Sequence, residues 1–66
     1  MPLLTHAFNS TAIADATYDT DTQVMQVTFT SGKTYTHEMV PEAEWDRFCT
    51  ASSAGSYYGS NIRGRY

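Results

Sequence analysis

At 66 residues, with a formal net charge of −3 and one cysteine, the chain has the size of a single domain and no intramolecular disulfide to support it; two separate cores would leave too much of so short a chain exposed. Cys49, His6 and His37 are too few and too scattered to read as a structural zinc site, and no apolar run approaches the roughly 20 residues of a membrane helix. All seven acids precede residue 47, and only four basic residues exist, Lys33, Arg47, Arg63 and Arg65, so long nucleic acid would be repelled by most of the surface.

The opening MPLLTHAFNS lacks the basic start and apolar run of a signal peptide. Residues 1–8 read as an N-terminal extension. The unpaired thiol fits a reducing compartment, so a cytoplasmic protein is expected, and the small core favours a homo-oligomer. AIADATY at 12–18 alternates loosely and predicts a strand, ended by YDTDT, whose Asp and Thr side chains favour a turn by bonding nearby amides. QVMQVTFT places Met25, Val27 and Phe29 on one face at period two, the pattern of a half-buried strand. SGK follows as a hairpin signal, and KTYTHEM as the partner strand, with Tyr35, His37 and Met39 on one face. A helix should start within VPEAEWDRF, where Pro41 suits the first position and Glu42 and Glu44 lie near the positive end of the dipole. Trp45, Phe48 and Cys49, at i, i+3 and i+4, form its apolar face. TASSAG should end it at Gly55, and a serine at 52 or 53 could cap a short further turn through SYYGSNI. The expected fold is α+β: a three-stranded antiparallel meander covered by one helix, plus a short C-terminal helical turn.

The last eleven residues, SYYGSNIRGRY, hold two arginines, three tyrosines and two glycines. Arginine forks bond phosphate oxygens in pairs, glycines let backbone amides approach an anion, and tyrosine can stack on a base. These ingredients suit a nucleotide or a few nucleotides of single strand. They form no P-loop, because no glycine of this segment is followed by the required Lys-Ser/Thr pair.

The order Ser10, Ile13, Tyr18-Asp19, TFTSGKTYT, Val40-Pro41 and ASSAGSYYGSNIRGRY resembles the KTSC domain, a short bacterial and phage module also found at the C-terminus of some lysyl-tRNA synthetase-like proteins. The resemblance spans residues 9–66 and implies a single domain over that range. RNA binding is the activity suggested for the family. The residues that carry over are Tyr35, Gly55, Tyr57, Tyr58, Ile62, Arg63 and Tyr66. Two positions depart from the family's pattern: the second tyrosine of a Tyr-x-Tyr pair is His37 here, and an asparagine after the aromatic pair is Gly59.

Two classes of function follow. The first is a non-catalytic module for a phosphorylated ligand, a short RNA or a small nucleotide, using Arg63, Arg65, Tyr57, Tyr58, Ser60, Asn61 and Tyr35; a phage copy would sequester a nucleotide signal or touch host RNA. The second is a protein-interaction module or an inhibitor of a host protein, acting through the acidic surface of Asp15, Asp19, Asp21 and the helix start. Against the first stands the reading in which the tyrosines only pack and the terminal arginines pair with Glu42, Glu44 or Asp46. A Cys49/His37 or Cys49/His6 catalytic pair is disfavoured, since Cys49 falls on the buried face of the helix. No cofactor is implied, and Asp19 and Asp21 alone fall short of a calcium site.

Overall fold

The structure, a computed structural model, describes residues 3–66. Four strands, β1 (Leu3–Ala7), β2 (Ile13–Asp19), β3 (Val24–Phe29) and β4 (Thr34–His37), form one antiparallel sheet in the order β1-β2-β3-β4. This corrects the expected count of three. The added strand lies in the stretch read as an N-terminal extension, whose first two residues lie outside those described. β1 pairs with β2 from Leu3↔Asp19 to Ala7↔Asp15, yet its side chains are mostly exposed. It is held by main-chain bonds, so the sequence carries little burial pattern to announce it.

On β2 the buried residues are Ile13, Ala16 and Tyr18, a spacing that a regular strand would split between two faces. A register shift between Ile13 and Asp15 inserts one extra residue and returns Ile13 to the core side. The turn into β3 follows the Asp/Thr signal: Asp19 Oδ1 accepts the Asp21 amide at 2.9 Å, and the chain re-enters the sheet through Gln23 at φ +60°. In the β3–β4 hairpin Gly32 takes φ +97°, a conformation that side-chain-bearing residues disfavour. Met25 and Val27 are fully buried, as the alternation predicts.

The expected alternation on β4 stops early. Tyr35 and His37 share the core-side face, but Met39 turns out at φ +58° and is 78% exposed. That turn delivers Val40 to the interior, where its amide donates to the Gln23 carbonyl at 2.9 Å and its carbonyl accepts the Tyr18 hydroxyl at 2.5 Å. Both polar groups of a buried peptide are thereby satisfied, as burial demands. Tyr18 also stacks on Trp45 with ring centroids 5.5 Å apart.

Helix α1 (Glu42–Thr50) follows Pro41 and lays Trp45 and Phe48 on the sheet. It ends at Thr50, with Ala51 extended, so Gly55 is not its breaker. Gly55 instead lies within a second helix, α2 (Ala54–Tyr57), whose N-cap Ser53 accepts the Ser56 amide, the capping role expected of a serine at 52 or 53. From α2 the chain runs directly into a π-helical turn, Tyr58–Ile62, which buries Tyr58 and Ile62 in the core. No helix of the described residues is long and apolar enough to cross a membrane.

The Tyr18–Val40 bond generates a test. Tyr18→Phe keeps the ring against Trp45 but leaves the Val40 carbonyl without a partner. Urea denaturation should show a loss of about 1–3 kcal/mol, the cost of orphaning a buried acceptor.

Candidate functional site

The sheet and the C-terminal segment meet at a hollow of about 400 Å³. Its aromatic wall is a chain of edge-to-face rings: Tyr35 to Phe29 at 5.4 Å, Phe29 to Tyr58 at 5.1 Å, and Tyr58 to His37 at 5.4 Å between centroids. Such geometry sets positive ring edges against negative faces and fixes each ring's tilt. Tyr35 is the member that opens to solvent, at 46% exposure, while Tyr58 is only 7% exposed. Gly55, Gly59 and Arg63 from the C-terminal segment complete the lining with Ala12.

Two buried polar groups hold the C-terminal segment in place. His37 Nε2 lies 2.8 Å from the Tyr58 hydroxyl, and its Nδ1 lies 3.4 Å from the Tyr66 carbonyl oxygen. The Tyr66 oxygen only accepts, so Nδ1 donates to it, while in the bond between Nε2 and the Tyr58 hydroxyl either atom can be the donor. Glu44 on α1 is the second tie. Its carboxylate accepts from the Tyr57 hydroxyl and, at 3.4 Å, from the Tyr66 hydroxyl, with Arg47 at 3.9 Å. The sequence places Glu44 at the helix start, within the candidate acidic surface; it is instead 7% exposed and its tyrosine partners lie 13 and 22 residues away, beyond any local signal.

The predicted ligand residues divide. Tyr35, Tyr58 and Arg63 share the hollow. Tyr57, Ser60 and Asn61 line a separate, more open groove with Ser52, Ser53 and Ser56; the Tyr57 ring packs along Phe48 at 6.2 Å and its hydroxyl is spent on Glu44. Arg65 is exposed and lines neither. Arg63 is fixed at its backbone, where its amide donates to the Tyr58 carbonyl at 2.8 Å to close the π-helical turn. Among the described residues the one ion pair is Arg47–Glu44. The pairing of Arg63 or Arg65 with Glu42, Glu44 or Asp46 is therefore not formed, and the Arg63 guanidinium keeps its full donor set. Sequence reasoning missed Ala12, Phe29 and His37 as lining residues, whereas Gly55 and Gly59 were expected to let the backbone approach an anion; the period-two placement of Phe29, Tyr35 and His37 on core-side faces was the available signal.

Cys49 is half-buried and shares a polar hollow of about 370 Å³ with His6. Burial, and then the Asp46 carboxylate, push its thiol up to about 11. A thiol held there is a poor nucleophile at neutral pH.

Comparison with known proteins places this geometry. The model of the KTSC domain matches residues 9–66. The chain belongs to the KTSC domain family. A KTSC domain protein from Yersinia pestis, known from its crystal structure, superposes with a TM-score of 0.90 at 26% identity, over 97% of this chain and 90% of that one. No curated protein matches the chain. His37 and Gly59 both lie on the walls of the same hollow, and Ile62 is core.

The buried phenols set a pH dependence. Burial raises Tyr18, Tyr57 and Tyr58 above the ordinary 10.0; acids add to it at Tyr18, the hydrogen bond and charge of Glu44 at Tyr57, and the neighbouring Tyr35 at Tyr58, where Arg63 works in the opposite sense. Each folded phenol thus holds its proton to higher pH than the unfolded chain does. The stabilisation is fully present below pH 10 and is lost as pH rises through the folded values. Urea midpoints measured between about pH 9 and about pH 11 should fall, and less steeply in Tyr57→Phe, which removes one of the titrating groups.

Proposed function

We propose that this KTSC domain is a non-catalytic binding module for a phosphorylated ligand, and that the ligand sits in the hollow between β4 and the π-helical turn. The observation that carries the reading is Arg63: a guanidinium free of any acid, anchored through its own backbone amide, on a hollow whose wall presents the exposed ring of Tyr35. A planar fork beside an aromatic face is the combination that takes phosphate and base together. The protein's negative charge opposes a long polyanion but not a compact one held at this single basic point. Tyr58 contributes through the shape of the wall and not by stacking, since its ring is buried. Tyr57, Ser60 and Asn61 then act as support on the far groove, and Arg65 adds only long-range attraction.

Native mass spectrometry of the protein taken from a nucleotide-rich lysate tests this directly. A retained phosphorylated mass is expected in the wild type, and in Arg63→Ala the affinity for that ligand should fall by about 1.5–3 kcal/mol, the scale of a charge-assisted hydrogen bond. Arg65→Ala should change it far less. Wild-type affinity in Arg63→Ala removes that residue from the site. The same spectrum gives the assembly size, and a homo-oligomer is proposed here on the grounds of the small core.

A second reading is favoured by the packing of Tyr57, Tyr58, Ile62 and Tyr66 against the body of the domain, which commits much of the C-terminal segment to structure. In it the contact surface is acidic and the partner is a basic host protein. Asp15 and Asp21 are exposed, whereas Asp19 is engaged in its turn, so the clean variant is Asp15→Asn with Asp21→Asn. If this reading holds, that variant should slow association and flatten its salt dependence.

A further inference from the structure

Gly59 has no structural reason to be glycine. It lies inside the π-helical turn, its φ is outside the left-handed region, and a Cβ built there would meet nothing within 4 Å. Glycine within a helical segment costs stability relative to alanine through lost backbone freedom. Gly55, one turn earlier on the same hollow, is similar: its Cβ would make only an ordinary 3.5 Å contact with Ala12 Cβ. The bare backbone lies on the wall of the hollow that also carries the exposed Tyr35 ring and Arg63. A cavity of about 400 Å³ is at the small end of ligand sites.

Resting on the reading of the hollow as a phosphorylated-ligand site, we propose that it takes one free mononucleotide, whose planar base stacks on Tyr35 and lies against the bare backbone at Gly59 while its phosphate meets Arg63. Gly59 is the specificity-determining position: any side chain there occupies the space of the base. The size of the hollow admits one nucleotide unit, and the seven acids against four bases weigh against a strand that continues across the surface. Selection is therefore for the combination of ring and phosphate within one small molecule. A phosphate without a ring uses Arg63 alone and is indifferent to position 59.

The test is an NMR titration of the full chain with AMP, UMP, ribose 5-phosphate and hexauridylate, for the wild type, Gly59→Ala, Gly59→Leu and Arg63→Ala. In the wild type, AMP and UMP should move the Gly55 and Gly59 α-protons upfield, the ring-current signature of a base lying over them, and ribose 5-phosphate should not. Gly59→Leu should weaken AMP by about 5- to 150-fold, the loss of one base-stacking contact, and leave ribose 5-phosphate unchanged. Gly59→Ala, whose added carbon meets nothing, should melt no lower than the wild type and weaken AMP by a smaller factor, so the steric series stands even if the leucine variant fails to fold. Arg63→Ala should weaken all four probes. Wild-type AMP affinity in both Gly59 variants, with loss in Arg63→Ala, overturns the base slot and leaves the phosphate site standing. Hexauridylate binding more tightly than UMP overturns the assignment to a free mononucleotide. A wild type that binds none of the four overturns the phosphate reading itself, and the slot with it.

Discussion

A nine-residue helix cannot cover this sheet. At 1.5 Å per residue α1 is about 14 Å long, while the seven-residue strand beneath it runs about 23 Å. So short a chain has few other residues with which to close the apolar face, and closing it falls to the segment after α1. The rest of the architecture follows from that shortage. Tyr58 and Ile62 are core residues because there is no second full helix to supply them, and the passage from α2 into a π-helical turn is what brings both of them inward. A segment whose composition reads as a flexible binding tail is in fact half of the lid on the sheet.

A lid this short gains little from apolar burial alone, and the two polar ties make up the difference. His37 grips the segment at Tyr58 and at the Tyr66 backbone, and Glu44 grips it at Tyr57 and Tyr66. Each is a buried group whose bonding capacity is spent on the C-terminal segment, so lifting that segment would leave an imidazole and a carboxylate unsatisfied. The ties also explain the difference between the two arginines. Arg63 emerges from the end of the clamped turn and is held beside the hollow, whereas Arg65 follows it on exposed backbone.

How much of this is legible in the sequence depends on whether the cause is local. The strands with alternating faces, the hairpin glycine, the Trp45/Phe48 helix face and the serine cap of α2 are set by neighbouring residues, and each can be read from the string. β1 is not legible, because an edge strand held by its ladder leaves no apolar period. Met39 breaks the alternation because Val40 must reach Tyr18, a requirement 22 residues distant. The end of α1 at Thr50 is likewise misread as Gly55, since glycine is the common helix stop but here serves inside the next helix. At the candidate site, arginine, tyrosine and glycine point to the C-terminal segment, which supplies part of the lining of the hollow. They do not reveal that Tyr57, Ser60 and Asn61 face one way and Tyr58 and Arg63 the other, because the helical turn that sorts them appears only once Tyr58 and Ile62 are drawn into the core.

The outermost strand has a further consequence. The family match begins at residue 9, after β1 ends at Ala7, yet the superposition on the Yersinia pestis protein spans 97% of this chain; without β1, the outer amides and carbonyls of the Asp15–Asp19 stretch would be open to any extended chain. Such an open margin is a template for aggregation or strand exchange. β1 is paired along its whole length with that margin and works as a selvedge: it carries little of the core, yet it hides the outer backbone of the longest strand of the sheet.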